Sequence, residues 1–165
     1  MKGQGNTVGS QSNLDLAYIA GFLDGDGSLM IQLKRRSESK IGTRRVMLTI
    51  CFYQDSRHEK PLLWIKKVLG IGYISRRNDG MTELRINGHE RVRSILVGLL
   101  PFLKFKRKQA KVIIKSANLL LKVEGGSTST KEKLVENILI IQAENYASRT
   151  KRSKQELREL LGLTP

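Results

Sequence analysis

Small residues recur every four positions, at Ala17, Gly21 and Gly25, inside a segment that otherwise keeps helical period through Leu16, Ile19, Ala20 and Leu23. Glycine inside a helix costs about 1 kcal/mol against alanine. Close approach of another backbone offsets that cost. The helix is predicted from Leu14 to Gly25, capped by Ser12 or Asn13 and ended by Gly25-Asp26-Gly27. Asp24 and Asp26 thus fall at a helix C-terminus, where the dipole disfavours anions. Free carbonyls and carboxylates converge there, a suitable place for a hard cation with oxygen ligands. A calcium loop is rejected, because Leu29 stands at its glycine position and Arg35 at its final glutamate position. The chain carries one such acidic motif. If two copies pack through Ala17 and Gly21, with Ala20 beside the stripe and Asp24 at its end, two Asp26 carboxylates come close. A two-fold homodimer then holds one acid from each copy beside its axis.

Charge points the same way. The 165 residues hold 30 Lys+Arg against 15 Asp+Glu, a net +15. Such an excess repels itself, and a polyanion relieves the repulsion. No apolar run is long enough to span a bilayer, and no basic amphipathic stretch suggests a membrane surface. One cysteine, Cys51, excludes an internal disulfide framework and thiolate zinc sites. Two histidines, His58 and His89, are too few for a His-rich metal centre. The N-terminus lacks the apolar core of a signal peptide, so an intracellular protein is expected.

Leu29, Ile31 and Leu33 alternate with polar residues, as do Val46, Leu48, Ile50 and Phe52, giving two strands. A helix from about Pro61 to Leu69 follows, stopped by Gly70. A second hairpin, 72–77 and 81–87, turns at Asn78-Asp79-Gly80. Helices are expected over 90–100 and 106–123. Ser129-x-x-Glu132 and Ser153-x-x-Glu156 read as capping boxes for two last helices, 130–148 and 154–161. The fold class is α+β, αββαββα, with a four-stranded antiparallel sheet and extra C-terminal helices. The expected organisation is a disordered tail at 1–11, a core at 12–123, a linker at 124–130, and a helical appendage at 131–165 packed on the same domain.

The outward parity of the strands is basic and amide-rich. It comprises Gln32, Lys34 and Arg36; Arg45, Met47 and Thr49; Tyr73, Ser75 and Arg77; and Glu83, Arg85 and Asn87. Arginine bonds guanine in a bidentate way, and Gln or Asn does the same with adenine. A two-stranded ribbon fits the major groove. These residues are the expected DNA contacts. The run Arg149-Thr150-Lys151-Arg152-Ser153-Lys154 is either a phosphate contact or a solvated loop.

Ile19 to Gly27 resembles the signature of LAGLIDADG homing endonucleases, with Ile19 for the first leucine and Gly25 for the second alanine. The element order fits that family's fold over about residues 13–123. One motif in the chain is similar to the single-motif, homodimeric, intron-encoded branch. The resemblance implies that Asp26 is the catalytic, metal-binding aspartate. It implies that the Gly25 carbonyl helps hold the metal, Mg²⁺ or another divalent cation such as Mn²⁺. Asp24 matches an acid with a structural role. Gln54 aligns with a residue that organises the water shell, and Lys106 with the basic group of the active site. A further basic group is Arg57 or His58, with Arg57 favoured. The implied activity is metal-dependent hydrolysis of both strands of a long pseudo-palindromic DNA target. Two other readings stand beside it: an intron maturase that binds RNA, and a non-cleaving DNA-binding regulator. Intron-borne members occur in archaea and organelles, so an archaeal cytoplasm or an organelle is expected.

Overall fold

The computed structural model describes residues 12–35, 44–122, 126–145 and 151–163. The tail at 1–11, Arg36 with its loop, most of the first half of the expected linker, and Arg149-Thr150 of the basic run lie outside the described residues. Helix α1 spans Asn13–Asp26, with the Ser12 hydroxyl accepting from the Asp15 N–H. Strands β1 (Gly27–Arg35) and β2 (Arg44–Asp55) follow. A single 3₁₀ turn, Ser56–His58, leads into α2 (Lys60–Leu69). Gly70 closes α2 at φ 67°, the left-handed conformation that glycine adopts without a Cβ penalty. Then come β3 (Tyr73–Arg76), β4 (Met81–Asn87), α3 (His89–Leu99), α4 (Arg107–Lys122), α5 (Thr128–Glu144) and α6 (Lys154–Leu160). Among the described residues, no helix is long and apolar enough to cross a membrane.

The strands form one antiparallel sheet in the order β1-β2-β4-β3. Its register sets Gln32 opposite Met47, Lys34 opposite Arg45, and Thr49 opposite Asn87. Alternation therefore sorts the sheet as read, with the polar set on one face. Leu29, Leu48, Ile50, Phe52, Leu84 and Ile86 lie on the other and are fully buried or nearly so. Each such side chain contributes about 1.5–3 kcal/mol by leaving water. Ile19 and Leu23 of α1, Leu62 and Ile65 of α2, and Val92 and Leu96 of α3 pack into the same core. So do Leu134, Val135, Ile138 and Ile141 of α5 and Leu157 of α6. Polar ties add to this seam. Asn145 donates to the Leu29 carbonyl at 3.2 Å, and Gln142 brackets the Arg152 backbone with two 3.0 Å bonds.

Three local expectations are corrected. Helix α5 is capped by Ser127, whose hydroxyl accepts from the Thr130 N–H, so it begins inside the stretch read as linker and leaves Ser129 in its first turn. The expected Ser129–Glu132 capping box does not form, whereas the Ser153–Glu156 box does. Ala20 is not on an outer face: it is 0% exposed in this chain's own core, because it shares a helix side with Ile19 and Leu23. Arg77 lies just beyond β3, in the mouth of the hairpin, donating its N–H to the Met81 carbonyl at 2.8 Å.

Gly27 sits where α1 turns into β1. A Cβ there would meet Leu23 Cδ1 at 2.5 Å, the Leu23 carbonyl oxygen at 2.8 Å and Leu23 Cα at 2.9 Å. Gly21 and Gly25 differ, since a Cβ on either meets nothing within 4 Å in the same chain. Gly27→Ala is therefore expected to destabilise the protein by about 1–3 kcal/mol, as overpacking does. Urea unfolding monitored by circular dichroism checks this. An unchanged midpoint would show that the corner has room to shift.

Candidate active site

The end of α1 is bound to the turn before α4. One carboxylate oxygen of Asp24 accepts from the N–H groups of Lys104 and Phe105 at 2.8 and 3.1 Å, and the other from the Lys106 N–H at 2.8 Å. In return, the Lys106 ammonium donates to the Asp24 carbonyl oxygen at 2.6 Å. This exchange satisfies a terminal carbonyl of α1 and sets a cation at its negative end. The Lys106 carbonyl accepts from the Ala110 N–H, which starts α4. Lys106 is only 8% exposed. Burial pushes its pKa down, and the charges of Asp24 and Asp26 offset part of that shift. Its ammonium also lies 5.1 Å from the centre of the Phe105 ring.

Asp24, read as part of a dimer interface, thus spends both carboxylate oxygens within its own chain. Asp26 does not share in this exchange. It is exposed at the last position of α1, and no hydrogen bond to its carboxylate is found among the described residues. Beside it opens a cavity of about 850 Å³ whose wall includes Gly25, Ser28, Tyr53, Lys106, Gln109 and Glu144. Gln54 lies at the end of β2, two residues past Phe52, the partner of Gly27. Its side chain accepts from the Asp55 N–H at 2.8 Å, and it is not part of the cavity wall. Arg57, 82% exposed, gives its Nε and Nη2 to Asp55 at 3.0 and 2.8 Å. His58 is exposed next to it. His89 is a fold residue, its ring Nε2 donating to the Val46 carbonyl at 3.0 Å.

The expected DNA contacts share one sheet face, except Arg36, which lies outside the described residues. Two of them are buried by their neighbours. Thr49 is fully covered, its hydroxyl donating to Asn87 Oδ1 at 2.7 Å with Gln32 Oε1 3.3 Å away. Glu83 is covered by arginines. Ala17 is half-buried, while Leu14, Tyr18, Gly21 and Gly25 form the exposed side of α1. Tyr18 meets Trp64 of α2 edge to face at 5.3 Å.

The sequence reading missed three residues at this site. Tyr53 bonds Ser28 through its hydroxyl at 2.9 Å, and burial holds its phenol at about 12. Its outward parity on β2 was the available signal. Glu144, paired with Lys108, and Asn145 arrive from the end of α5, and no local pattern announces them.

This corner sets an acid-tipped helix beside a basic antiparallel sheet. Residues 19–100 match the sequence family described as LAGLIDADG endonuclease. The DNA endonuclease I-CvuI of Chlorella vulgaris is 38% identical over 102 residues, 61% of this chain and 62% of that protein. The DNA endonuclease I-CreI of Chlamydomonas reinhardtii is 32% identical over 100 residues, 61% of this chain and 60% of that protein. The chain thus aligns with about three-fifths of the length of these curated relatives. A crystal structure of I-CvuI with its target, in the presence of calcium, superposes with a TM-score of 0.76 at 29% identity, covering 90% of this chain and 93% of that one. The archaeal intron-encoded homing endonuclease I-Vdi141I, complexed with DNA, shares the fold at a TM-score of 0.77 and 19% identity, covering 91% and 96%. The chain belongs to the LAGLIDADG endonuclease family.

Asp24→Ala leaves three backbone N–H groups without their acceptor and is expected to cost about 2 kcal/mol, with Asp24→Asn falling between it and wild type. Urea midpoints test this order. An alanine variant as stable as wild type would deny the carboxylate its structural role.

Proposed function

We propose that this chain is a site-specific homing endonuclease that cuts both strands of a long pseudo-palindromic duplex as a homodimer. The observation that supports it is the exchange between Asp24 and Lys106. It fixes Asp26, exposed and without a hydrogen bond to its carboxylate among the described residues, at the point where the acidic helix end meets the basic sheet. The relatives named above are DNA endonucleases, and I-CvuI structures were obtained with calcium and with magnesium.

The donors suit a hard divalent ion. Asp26 offers a carboxylate, and Gly25 a terminal carbonyl of the helix. Asp24 already accepts from three N–H groups, so Asp26 is the acid proposed as ligand. Among the described residues, no group of three or more His, Cys, Asp or Glu can hold a metal. One chain therefore supplies an incomplete set, which a second copy and a DNA phosphate would complete. When bound, Mg²⁺ would supply Lewis acidity and a water of lowered pKa.

The protein's own groups do the rest. Lys106 sets a positive charge, fixed by the Asp24 carbonyl, beside the acid, where it offsets negative charge growing on the phosphate. Gln54 orients solvent from the end of β2. Arg57 is the proposed second basic group. Its tie to Asp55 leaves His58 as the alternative. On the sheet, Gln32, Lys34, Arg45, Met47, Tyr73, Ser75 and Asn87 face the duplex, and a two-fold pair of sheets would span about two helical turns. The exposed side of α1, with Tyr18 and Trp64 beside it, is the face offered to the second copy. Ala17 and Gly21 belong to it; Ala20 does not. The site of action this reading implies is inside a cell, in an archaeal cytoplasm or an organelle.

Asp26→Asn keeps the size of the side chain and removes its charge. It is expected to bind duplex DNA as wild type does and to cut at least about a thousandfold more slowly in Mg²⁺. A gel-based comparison of binding and cleavage reads both. Normal cutting by this variant would refute the assignment of Asp26.

A further inference from the structure

Arg57 and His58, the two candidates for the second basic group, sit side by side on one 3₁₀ turn, and both are exposed. The residues on either side of them are anchored. Before them, Ser56 gives its N–H to the Gly80 carbonyl at 2.8 Å, and its hydroxyl lies 2.8 Å from the Thr82 hydroxyl. After them, the Glu59 carboxylate accepts from the same Thr82 hydroxyl at 2.8 Å. The Glu59 carbonyl accepts from the N–H groups of Leu62 and Leu63 at 2.9 and 3.3 Å, so this residue also starts α2. The two basic residues thus ride an arch whose feet, Ser56 and Glu59, both stand on Thr82.

Glu59 sets the direction of these bonds. Arg76 holds its carboxylate with Nε, 3.2 and 3.0 Å from the two oxygens, and with Nη2, 2.6 Å from Oε1. The hydrogen bonds of Arg76 and of the Thr82 hydroxyl keep the Glu59 carboxyl below its ordinary range. Glu59 is therefore an anion at neutral pH and only accepts. Thr82 donates to it, and having one proton, accepts from Ser56 in return. The donors run from Ser56 to Thr82 to Glu59 and end on a charge, an order in which each bond strengthens the next. Thr82 is fully buried, so bulk water does not compete for its hydroxyl.

The register places this anchor beside the proposed site. Thr82 lies opposite Gln54 of β2 on one side and Arg76 of β3 on the other. The arch is tied to the sheet at the pair that includes the proposed water-orienting amide. Thr82 shares the parity of Leu84 and Ile86, the core face, so its hydroxyl serves the arch and not a base.

We infer that Thr82, Glu59 and Arg76 are positioning residues, holding the Arg57–His58 arch so that its basic group meets the phosphate in one geometry. This rests on the endonuclease reading above.

The substrate for the test is the duplex that wild type cuts fastest out of a randomised library in Mg²⁺. Binding is read in calcium, and single-turnover cutting in Mg²⁺ at saturating protein, both with the full chain. T82V keeps the shape of the side chain and removes the hydroxyl. It is expected to cut about ten- to a hundredfold more slowly at saturation, the scale of a small misplacement, while binding the duplex as wild type does. T82S restores the hydroxyl and should recover most of the rate. R76M, at a mostly exposed side chain, should slow cutting in the same way, and it carries the test if T82V melts early. In an R57M/H58A background, T82V should cost nothing further, because the group it positions is gone. Unchanged cutting by T82V and R76M would overturn the inference. So would a parallel fall in binding and cutting, or a full additional loss in the R57M/H58A background. If wild type cuts no duplex of the library, the endonuclease reading fails, and this inference with it.

Discussion

The exchange between Asp24 and Lys106 closes a contact across 82 residues of sequence separation. It is the constraint on which the site depends. A helix C-terminus that ends in two aspartates is electrostatically unfavourable by itself. Here the first aspartate is neutralised locally by three backbone N–H groups and a lysine ammonium, all from the turn before α4. The end of α1 is thereby fixed in position and direction. Gly27, tight against Leu23, then sends the chain directly into β1. Asp26, between the two, keeps its carboxylate outside the exchange. The same turn that stabilises the corner brings Lys106 next to the acid, so one interaction both builds the fold and places the charges of the site.

Much of this was legible because its causes are local. Alternation in β1, β2 and β4 set the sheet faces, and helical period with Ser12 and Gly70 set the limits of α1 and α2. What was not legible depended on contacts far apart in sequence. Nothing near Asp24 shows that its oxygens will meet N–H groups at 104–106, so its structural role was legible only through the resemblance. Ala20 belongs to the small-residue set by composition. Its angular position places it with Ile19 and Leu23, and packing, not size, decides its face. Thr49 and Glu83 have the parity of surface residues, yet Asn87, Gln32 and the arginines cover them. Ser127, not Ser129, caps α5, although only Ser129 has a glutamate three residues on.

On the proposed function, the site of a single chain is half of a catalytic centre. Asp24 is committed, Lys106 is turned inward to the α1 carbonyl, and one open carboxylate remains. Leu14, Gly21 and Gly25 on one side of α1 are exposed among the described residues, and the two glycines answer no steric need there. Both facts have the same explanation if α1 meets its copy and two Asp26 carboxylates are brought together. The net +15 of each chain makes that encounter unfavourable in isolation and favourable on a polyanion. DNA would then serve as both substrate and counter-charge for assembly.

The claim that two copies complete the site is tested most directly by stoichiometry. Sedimentation equilibrium on a cleavable duplex, in calcium, counts chains per DNA, and the same protein series in Mg²⁺ gives the cutting rate against concentration. Two chains per duplex, with cutting that rises as the square of protein concentration where the copies are dissociated, is the predicted result. One chain per duplex, cutting both strands at a rate linear in protein, would contradict the account.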